Sequence, residues 1–337
     1  MFRNTSGSTN LPKTFALSLG RLHEKAEMQA RDAKEGCTLR SGSAEFDANR
    51  VGRMSSLLAG NTVAILRRIN ASGLVATCER VSISMIIMGS YKLASLVQQG
   101  SGCRRLPSFT AIQTGGARVP GRLRKKIGEL LTPNLWIQYA TSEVGLISMA
   151  SPDQHDEFPE GVGFPDASVA IEIVDRDGSP VKAGEVGEIR LRKKTMATGY
   201  LAEPGTTKNF RDNWFYPGDL ISQNAGQPLV FVGRSDDTIL LNSINIFPSA
   251  IEDLLESHSD VQEAVAYAVK SRIHGEIPVA AVVLSPQARG RGTDHLLQFC
   301  RSALGLRAPR QVVVVEHIPR NSVGKPLRRE LARAMRA

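Results

Sequence analysis

Apolar segments alternate with helix-forming segments through the first half of this chain, and that alternation most constrains its fold. Val81–Met88 is a dense apolar run that suits either a strand or a buried helix. Phe109–Thr114 and Leu135–Tyr139 indicate two further strands, with a glycine turn and the basic helix Gly121–Leu131 between them. Because parallel strands need long crossover connections, the pattern predicts an α/β fold built on a parallel sheet.

Segments on either side of this region extend the prediction. Residues 14–35 are polar and mostly helix-forming, which indicates a surface helix, and Gly60–Leu66 is typical of a turn that enters a buried strand. From about residue 161, Gly, Pro and Asp residues separate short alternating strands, which predicts a β-rich subdomain. These predicted strands are Val169–Val174, Gly187–Leu191 and Leu229–Val232.

The local pattern changes again after Gly233-Arg234, where helix and strand signals are mixed. The predicted helices are Ile251–Ser257, Thr293–Leu304 and Arg328–Arg336, and the predicted strands are Glu263–Val269, Val279–Leu284 and Val312–Val315. About a hundred residues of this kind are enough for a small α+β domain. We therefore predict a large domain over residues 1–232, a hinge over 233–237 and a small domain over 238–337.

The net charge of +9 favours an anionic partner, such as a nucleotide, coenzyme A, an acidic carrier protein or a nucleic acid. A solvated basic face is the alternative interpretation. Aromatic residues make up only 5% of the chain and are not interleaved with the basic clusters, so we expect no nucleic-acid binding.

The sequence contains no apolar run of the length that a membrane helix requires, which is about 18 residues or more. Its first residues show no apolar segment typical of a secretory signal. The four cysteines, at positions 37, 78, 103 and 300, lack metal-ligand spacing. We therefore expect free, mostly buried thiols, no membrane span and a cytoplasmic location.

A loop rich in hydroxyl groups lies at the start of the chain, over residues 5–13. Its glycine allows backbone N–H groups to converge on an anion, its hydroxyl groups add donors, and its lysine adds a point charge. The loop therefore resembles a phosphate-binding loop, although a solvated Ser/Thr loop is the alternative and the spacing is not that of a Walker motif. The candidate phosphate ligands are Thr5, Ser6, Gly7, Ser8, Thr9 and Lys13.

Four further polar motifs follow in order. They are Tyr139 with Thr141-Ser142-Glu143, Tyr216-Pro217-Gly218-Asp219, Gly233-Arg234-Ser235-Asp236-Asp237 and Asn321-Ser322-Val323-Gly324-Lys325. Each alone fits a charged turn. Together with the hydroxyl-rich loop, in this order and spacing, they resemble the adenylate-forming superfamily over residues 5–337. That superfamily comprises acyl- and aryl-CoA synthetases, peptide-synthetase adenylation domains and firefly-type luciferases.

The resemblance implies a large adenylation domain, with a parallel sheet and a β-rich subdomain, and a mobile small C-terminal domain. It implies ATP and Mg²⁺ as cofactors and a small carboxylic acid as substrate. Such an enzyme forms an acyl-adenylate and then a thioester with coenzyme A or with the phosphopantetheine of a carrier protein. Both acceptors are anionic, which suits a basic protein.

The resemblance also implies roles for residues of the large domain. Glu143 would hold Mg²⁺, and Ser142 would donate to the phosphates. Tyr139 would stack on adenine, while the run Gly115-Gly116-Ala117 would let the backbone approach the base. A charge at the start of a helix is the alternative interpretation of Glu143.

For the later motifs, the resemblance implies that Asp219 binds the ribose hydroxyl groups and that Arg234 supports the ribose. Lys325 would bridge the reacting carboxylate and phosphate oxygens as the catalytic residue, and Asp236 would be the hinge. The alternatives are a turn residue for Asp219, a surface ion pair of Arg234 with Asp236 or Asp237, and a solvated loop for Lys325.

Members of this superfamily have a substantial segment before the phosphate loop, whereas four residues precede the loop here. The chain therefore also fits a truncated form of such an enzyme, inactive or dependent on a partner. We expect the acid pocket around Phe46, Gln113–Ala117 and Gln138–Ile147. The sequence does not identify the acid.

Overall fold

The structure is a computed structural model that describes residues 2–4, 13–31, 33–42, 47–66, 70–98, 105–108, 110–201, 209–321 and 324–335. Contacts divide the chain into two compact units. The first comprises Met1–Pro217 and Ser222–Phe231, and the second comprises Gly218–Ile221 and Val232–Ala337.

The first unit contains six helices. They are α1 (Leu19–Arg31), α2 (Asp47–Leu58), α3 (Ala71–Val81), α4 (Ser90–Gln98), α5 (Gly121–Leu130) and α6 (Gln154–Glu157) among the described residues. Its strands are β1 (Phe2–Asn4), β2 (Thr14–Ala16), β3 (Cys37–Arg40), β4 (Thr62–Ala64), β5 (Ile83–Gly89), β6 (Ala111–Gly115), β7 (Leu135–Thr141), β8 (Gly145–Ala150), β9 (Phe164–Pro165), β10 (Ala170–Val174), β11 (Gly187–Arg192), β12 (Phe210–Arg211) and β13 (Trp214–Phe215).

A seven-stranded sheet with the order β4-β3-β5-β6-β7-β8-β9 forms the centre of the first unit. The five strands from β4 to β7 are parallel, and β8 and β9 are antiparallel additions. The strand order reverses between β3 and β5, because the chain adds β4 on one side of β3 and β5 on the other. The predicted α/β class with a parallel sheet is confirmed.

Burial explains how the ambiguous apolar run folds. Ile83 and Ile86 of β5 are fully buried, as is Ile112 of the neighbouring strand β6, and they pack with residues of α3, α4 and α5. In a strand that is covered on both faces, apolar residues do not alternate with polar ones. Its sequence is therefore a continuous apolar run, like that of a buried helix. The run Val81–Met88 is therefore strand β5 from Ile83 onward, whereas Val81 still belongs to α3.

Two local predictions need correction. The segment 14–35 is not one helix, because Thr14–Ala16 pairs with β1 as β2 and its Phe15 is fully buried, so α1 begins at Leu19. The strand predicted within Gly60–Leu66 forms as β4, but it lies at the sheet edge with residues that are half-buried or exposed. This edge position follows from the reversal of strand order. Among the described strands of this sheet, β3 is the neighbour of β4, and all the others lie on the far side of β3.

The predicted β-rich subdomain follows the parallel sheet. Strand β10 pairs antiparallel with β11, and β11 pairs with β13, which in turn pairs with β12. Gly163 lies just before β9 at a positive φ of 94°, and a Cβ there would overlap the backbone of Met149. Only glycine fits this close approach of two segments.

The second unit contains α7 (Pro248–Ser257), α8 (Asp294–Leu304), α9 (Arg328–Ala334), β16 (Ile239–Leu241), β17 (Ile244–Ile246), β18 (Val261–Ser271), β19 (Gly275–Leu284) and β20 (Gln311–Val314). Strands β14 (Asp219–Ser222) and β15 (Val230–Arg234) neighbour each other at the boundary of the units. The sheet of the second unit has the order β17-β16-β19-β18, with β20 parallel to β19.

Both faces of β18 are covered, and its side chains alternate between two cores. Ala264 and Ala266 pack with apolar residues of α7 and α8, whereas Val265 and Tyr267 pack with Leu331 of α9. Burial raises the pKa of Tyr267 to about 12. This arrangement confirms the predicted small α+β domain.

The described cysteines, Cys37, Cys78 and Cys300, are free and buried, as expected, and Cys103 lies outside the described residues. Burial raises the pKa of Cys78 and of Cys300 to about 11, so both thiols stay protonated at neutral pH. Among the described segments, no helix has both the length and the apolar composition needed to cross a membrane.

The close approach at Gly163 gives a stability test. We expect Gly163→Ala to lower the free energy of unfolding by about 3 kcal/mol or more, since backbone strain adds to steric overlap. Gly178→Ala is the matched control, because Gly178 also has a positive φ, 84°, but faces open space. Its expected cost is about 1–2 kcal/mol.

Urea unfolding followed by tryptophan fluorescence measures this difference, because both tryptophans, Trp136 and Trp214, belong to the first unit. Equal losses for the two alanine variants would contradict the steric explanation.

Candidate functional site

The carboxyl ends of β6 and β7 place two sequence motifs side by side. Gly115 pairs with Gln138 of β7, and a Cβ on Gly115 would lie 2.5 Å from the Gln138 carbonyl oxygen. Gly116 follows with a φ of 85° and open space where a Cβ would be. Together with Ala117, these glycines present backbone at the sheet edge, where a ligand can approach closely.

Tyr139 provides a flat aromatic surface beside this backbone. Its side chain is half-buried, and its ring lies 6.2 Å from that of Phe231, centroid to centroid, at an angle of 58°. Next to it on β7, Gln138 accepts a 2.7 Å hydrogen bond from Gln113 of β6. The edge therefore combines an aromatic ring with approachable backbone, a combination that suits a planar ligand.

Glu143 lies in the turn that joins β7 to β8, and its side chain is buried. Its carboxylate accepts a 2.5 Å hydrogen bond from the hydroxyl group of Tyr200, and its carbonyl oxygen accepts one from the Ala197 N–H at 2.9 Å. The alternative of a charge at a helix start is wrong, because β8 begins at Gly145 directly after this turn. Ser142, half-buried, precedes Glu143 in the same turn.

Tyr200 also contacts the end of the hydroxyl-rich loop. Lys13 Nζ lies 4.9 Å from the centroid of the Tyr200 ring and donates to Asn209 Oδ1 at 3.3 Å. Lys13 and Glu143 thus contact the same tyrosine side chain, although they are far apart in sequence. The other predicted phosphate ligands, Thr5, Ser6, Gly7, Ser8 and Thr9, lie outside the described residues, as does Phe46.

The sequence analysis missed two residues of this region. Tyr200 follows a glycine, and the sequence around it has no periodic pattern. Only its hydrogen bond to Glu143 in the folded chain identifies it as part of this region. Lys25 is 5% exposed, and a Cβ on Gly145 would lie 2.9 Å from its Cε. Because the charged sequence of α1 indicates a surface helix, nothing in it distinguishes this buried lysine.

In the second unit, Arg234 connects two carboxylates. It donates to Asp219 Oδ1 at 2.9 Å and to Asp236 Oδ1 at 2.8 Å. The Asp219 side chain is 9% exposed and that of Asp236 is 48% exposed. Burial acts to lower the pKa of Arg234, but hydrogen bonding to Asp236 and the charges of Asp219, Asp236 and Asp237 outweigh it and raise that pKa.

This arrangement differs from the surface ion pair considered as an alternative for Arg234. Arg234 pairs with Asp236, as that alternative has it, but its other partner is the buried Asp219. Asp237 instead lies 3.6 Å from Arg328 of α9. Gly218 brings the two segments together, since its carbonyl oxygen accepts from the backbone N–H of Ser235 at 2.8 Å.

The backbone of Lys325 is held by Asn321. Its N–H donates to Asn321 Oδ1 at 2.9 Å, and its carbonyl oxygen accepts from the Asn321 N–H at 3.0 Å. Gly324 has a φ of 86°, and its carbonyl oxygen accepts a 2.5 Å hydrogen bond from Arg320. The half-buried Lys325 side chain therefore starts from a well-defined position in the second unit.

Two segments of the chain match known protein families. Residues 4–201 match the family of AMP-binding enzymes, and residues 250–325 match the C-terminal domain of AMP-binding enzymes. The chain belongs to the AMP-binding enzyme family, and the resemblance to adenylate-forming enzymes is confirmed.

Among curated relatives, a long-chain-fatty-acid–CoA ligase of Salmonella typhimurium is 33% identical over 219 residues, which cover 64% of this chain and 39% of the ligase. An uncharacterized acyl–CoA ligase of Bacillus subtilis is 27% identical over 328 residues, 95% of this chain and 65% of that protein. The chain thus spans about two fifths to two thirds of the length of these relatives.

Among solved structures, the o-succinylbenzoate CoA synthetase of Bacillus subtilis, in complex with its acyl-adenylate intermediate, matches with a TM-score of 0.86. It is 26% identical, and the match covers 98% of this chain and 68% of that chain. The same synthetase is also known in complex with ATP and a magnesium ion.

The two partners of Arg234 differ in burial, and that difference gives a second prediction. We expect Asp219→Ala to lower the free energy of unfolding by about 2–3 kcal/mol, because it leaves a partly buried guanidinium without its buried partner. Asp236→Ala is the control, with an expected loss of less than about 1 kcal/mol, because exposed ion pairs contribute little. Urea unfolding followed by far-UV circular dichroism measures both, and a larger loss for Asp236→Ala would contradict the assignment.

Proposed function

We propose that this chain is an ATP-dependent carboxylic acid–CoA ligase that forms an acyl-adenylate and then a thioester. One observation supports this most directly: the buried Glu143 carboxylate, held by Tyr200 and with Lys13 on the same tyrosine, lies at the carboxyl edge of the parallel sheet. Open α/β sheets bind ligands at this edge. Membership of the AMP-binding family and the similarity to CoA ligases support the same reaction class.

The residues present suit a magnesium-bound nucleotide. Mg²⁺ prefers carboxylate and phosphate oxygens, and when bound it would neutralise phosphate charge during attack by the acid. Glu143 would hold the ion, Ser142 would donate to the phosphates, and Lys13 would add positive charge with the hydroxyl-rich loop. The fixed hydrogen bond from Tyr200 orients the Glu143 carboxylate before any ligand arrives.

The adenosine part of the ligand has several candidate partners. We assign Tyr139 and the run Gly115-Gly116-Ala117 to the adenine base. Asp219 would accept hydrogen bonds from the ribose hydroxyl groups, and Arg234 would hold Asp219 in place through its 2.9 Å hydrogen bond.

Lys325 would be the catalytic residue, contacting carboxylate and phosphate oxygens as negative charge develops. Asp236 would be the hinge residue, within a hinge over residues 233–237 between domains 1–232 and 238–337. A transfer between two reaction poses needs such a segment to absorb backbone rotation.

The acceptor of the acyl group is proposed as coenzyme A, with an acidic carrier protein as the alternative. The net charge of +9 suits both. The buried free thiols fit a reducing compartment, and we propose a cytoplasmic location.

Carboxylate-dependent exchange of pyrophosphate into ATP tests the proposal. The purified chain is screened with fatty, aryl and amino acids, and ATP binding is measured in parallel by calorimetry. Exchange with one acid class supports the ligase. Tight ATP binding without any exchange would favour the inactive or partner-dependent alternative, and absence of ATP binding would contradict the assignment as a whole.

The role of Lys325 gives a third prediction. We expect Lys325→Ala to reduce the exchange rate by roughly a hundredfold or more, since it removes a charge that acts on the transition state. ATP affinity should change little. Lys270→Ala is the control, because Lys270 is also in the second unit but is 74% exposed in an ion pair with Glu276. Equal losses of ATP binding and exchange in Lys325→Ala would show a binding role instead.

The role of Glu143 gives a fourth prediction. We expect Glu143→Gln to raise the Mg²⁺ concentration for half-maximal exchange by roughly tenfold or more, because an amide is a weaker ligand than a carboxylate. Glu129→Gln, at an exposed position of α5, is the control. An unchanged Mg²⁺ dependence would remove Glu143 from the metal site.

A further inference from the structure

The reversal of strand order between β3 and β5 marks a place where ligands bind in α/β proteins. At such a point the connections leave in opposite directions, and a crevice opens at the carboxyl ends of the strands. Arg40 is the last residue of β3, and Gly89 is the last residue of β5. Both strands belong to the first unit.

Two guanidinium groups lie at this end of β3. The Arg40 side chain lies against α2 at Gly52, where a Cβ would overlap its guanidinium. Arg53, the next residue of α2, donates to the Gly42 carbonyl oxygen at 2.6 Å. The Nε atoms of Arg40 and Arg53 are both buried, and neither has a hydrogen-bond partner among the described residues.

The two groups also repel each other. Burial and the charge of Arg53 lower the pKa of Arg40 to about 10, so Arg40 is still charged at neutral pH. Lys92 of α4 adds a third cation at this edge, where its Nζ donates to the Ser41 carbonyl oxygen at 3.0 Å. No ion pair of Arg40 or Arg53 with an acid is found in the described part of the chain. Buried cationic donors without acceptors are suited to an anionic ligand.

The sheet register fixes the distance from this pair to the proposed reaction site. Arg40 pairs with Ile87 of β5, and Gly89, two residues further along β5, pairs with Gly115 of β6. Two strand spacings and two residues along the strand correspond to about 12 Å between the Arg40 and Gly115 backbones. An extended dicarboxylic acid of several carbons spans a distance of this size.

We propose that Arg40 and Arg53, with Lys92 at the rim, bind a second carboxylate of the substrate, which makes the substrate a dicarboxylic acid. This rests on the proposed function, which places the reacting carboxylate near the run Gly115-Gly116-Ala117. Guanidinium groups match the two oxygens of a carboxylate with parallel hydrogen bonds. Because Gly52 has no side chain, the Arg40 guanidinium can occupy the space beside it. The arrangement therefore needs a glycine at position 52 as well as an arginine at position 40.

The test compares acids in pairs. Pyrophosphate exchange is measured with dicarboxylic acids from succinate to suberate, each beside the monocarboxylic acid of equal chain length. We expect one diacid to exceed its monoacid partner in kcat/KM by roughly 10- to 100-fold, the difference that a charged hydrogen-bonded contact provides. Arg40→Met and Arg53→Met should each remove this preference by lowering the kcat/KM of the diacid to about that of its monoacid partner.

Two controls separate binding from structure. Arg80→Met, at an exposed position of α3, should leave the kcat/KM of both the diacid and the monoacid unchanged. Without ligand, Arg40→Met should raise the urea midpoint of unfolding, because it removes a buried charge next to Arg53. A structural arginine would give the opposite change. Arg40→Gln is a second variant, in case methionine disturbs packing at Gly52.

Calorimetry with the preferred diacid alone keeps the test independent of turnover. If no acid supports exchange, the proposed ligase fails, and binding of a diacid that needs Arg40 and Arg53 would still support the carboxylate-binding site at this pair. If monoacids and diacids exchange equally and neither variant changes them, the inference is overturned and the ligase stands. The arginine variants could instead impair only the transfer of the acyl group to coenzyme A, with no defect when dephospho-coenzyme A is the acceptor. That result would show that Arg40 and Arg53 bind a phosphate of coenzyme A, and it would also overturn the inference.

Discussion

Parallel pairing of β3, β5, β6 and β7 is the constraint on which the first unit depends. Parallel strands place all their carboxyl ends at one edge, so residues that end different strands become neighbours. Gly115, Thr141 and Arg40 are all terminal residues of such strands. The apolar residues buried between sheet and helices hold this register, and a shift of one strand would separate the polar ends.

Much of this architecture could be predicted from the sequence. The strand–turn–helix order around Gly115 and the strand Glu263–Val269 within β18 follow from local patterns that tertiary structure did not override. The predictions that proved wrong concern segments whose secondary structure or position depends on which strand they pair with. Thr14–Ala16 has a polar context that suits a helix, and only its pairing with β1 makes it a strand. The edge position of β4 depends on strand order, which no local window contains.

The site was predictable only in part, for a related physical reason. Glu143, Asp219 and Arg234 could be proposed because each lies in a short motif with several polar residues. Tyr200, Lys25 and the pair of Arg40 and Arg53 have no such motif. Their significance comes from contacts across long sequence separations and from burial, both of which exist only in the folded chain.

Arg234 has a consequence for how a nucleotide and the backbone would influence each other. One guanidinium pairs with two carboxylates, Asp219 and Asp236, that lie 17 residues apart in sequence. If a ribose binds Asp219 as proposed, its hydroxyl groups would compete with Arg234 for the same carboxylate oxygens and would leave Arg234 more strongly paired with Asp236. By thermodynamic reciprocity, a torsional change around residue 236 that altered this pairing would then change the affinity for the sugar by the same factor.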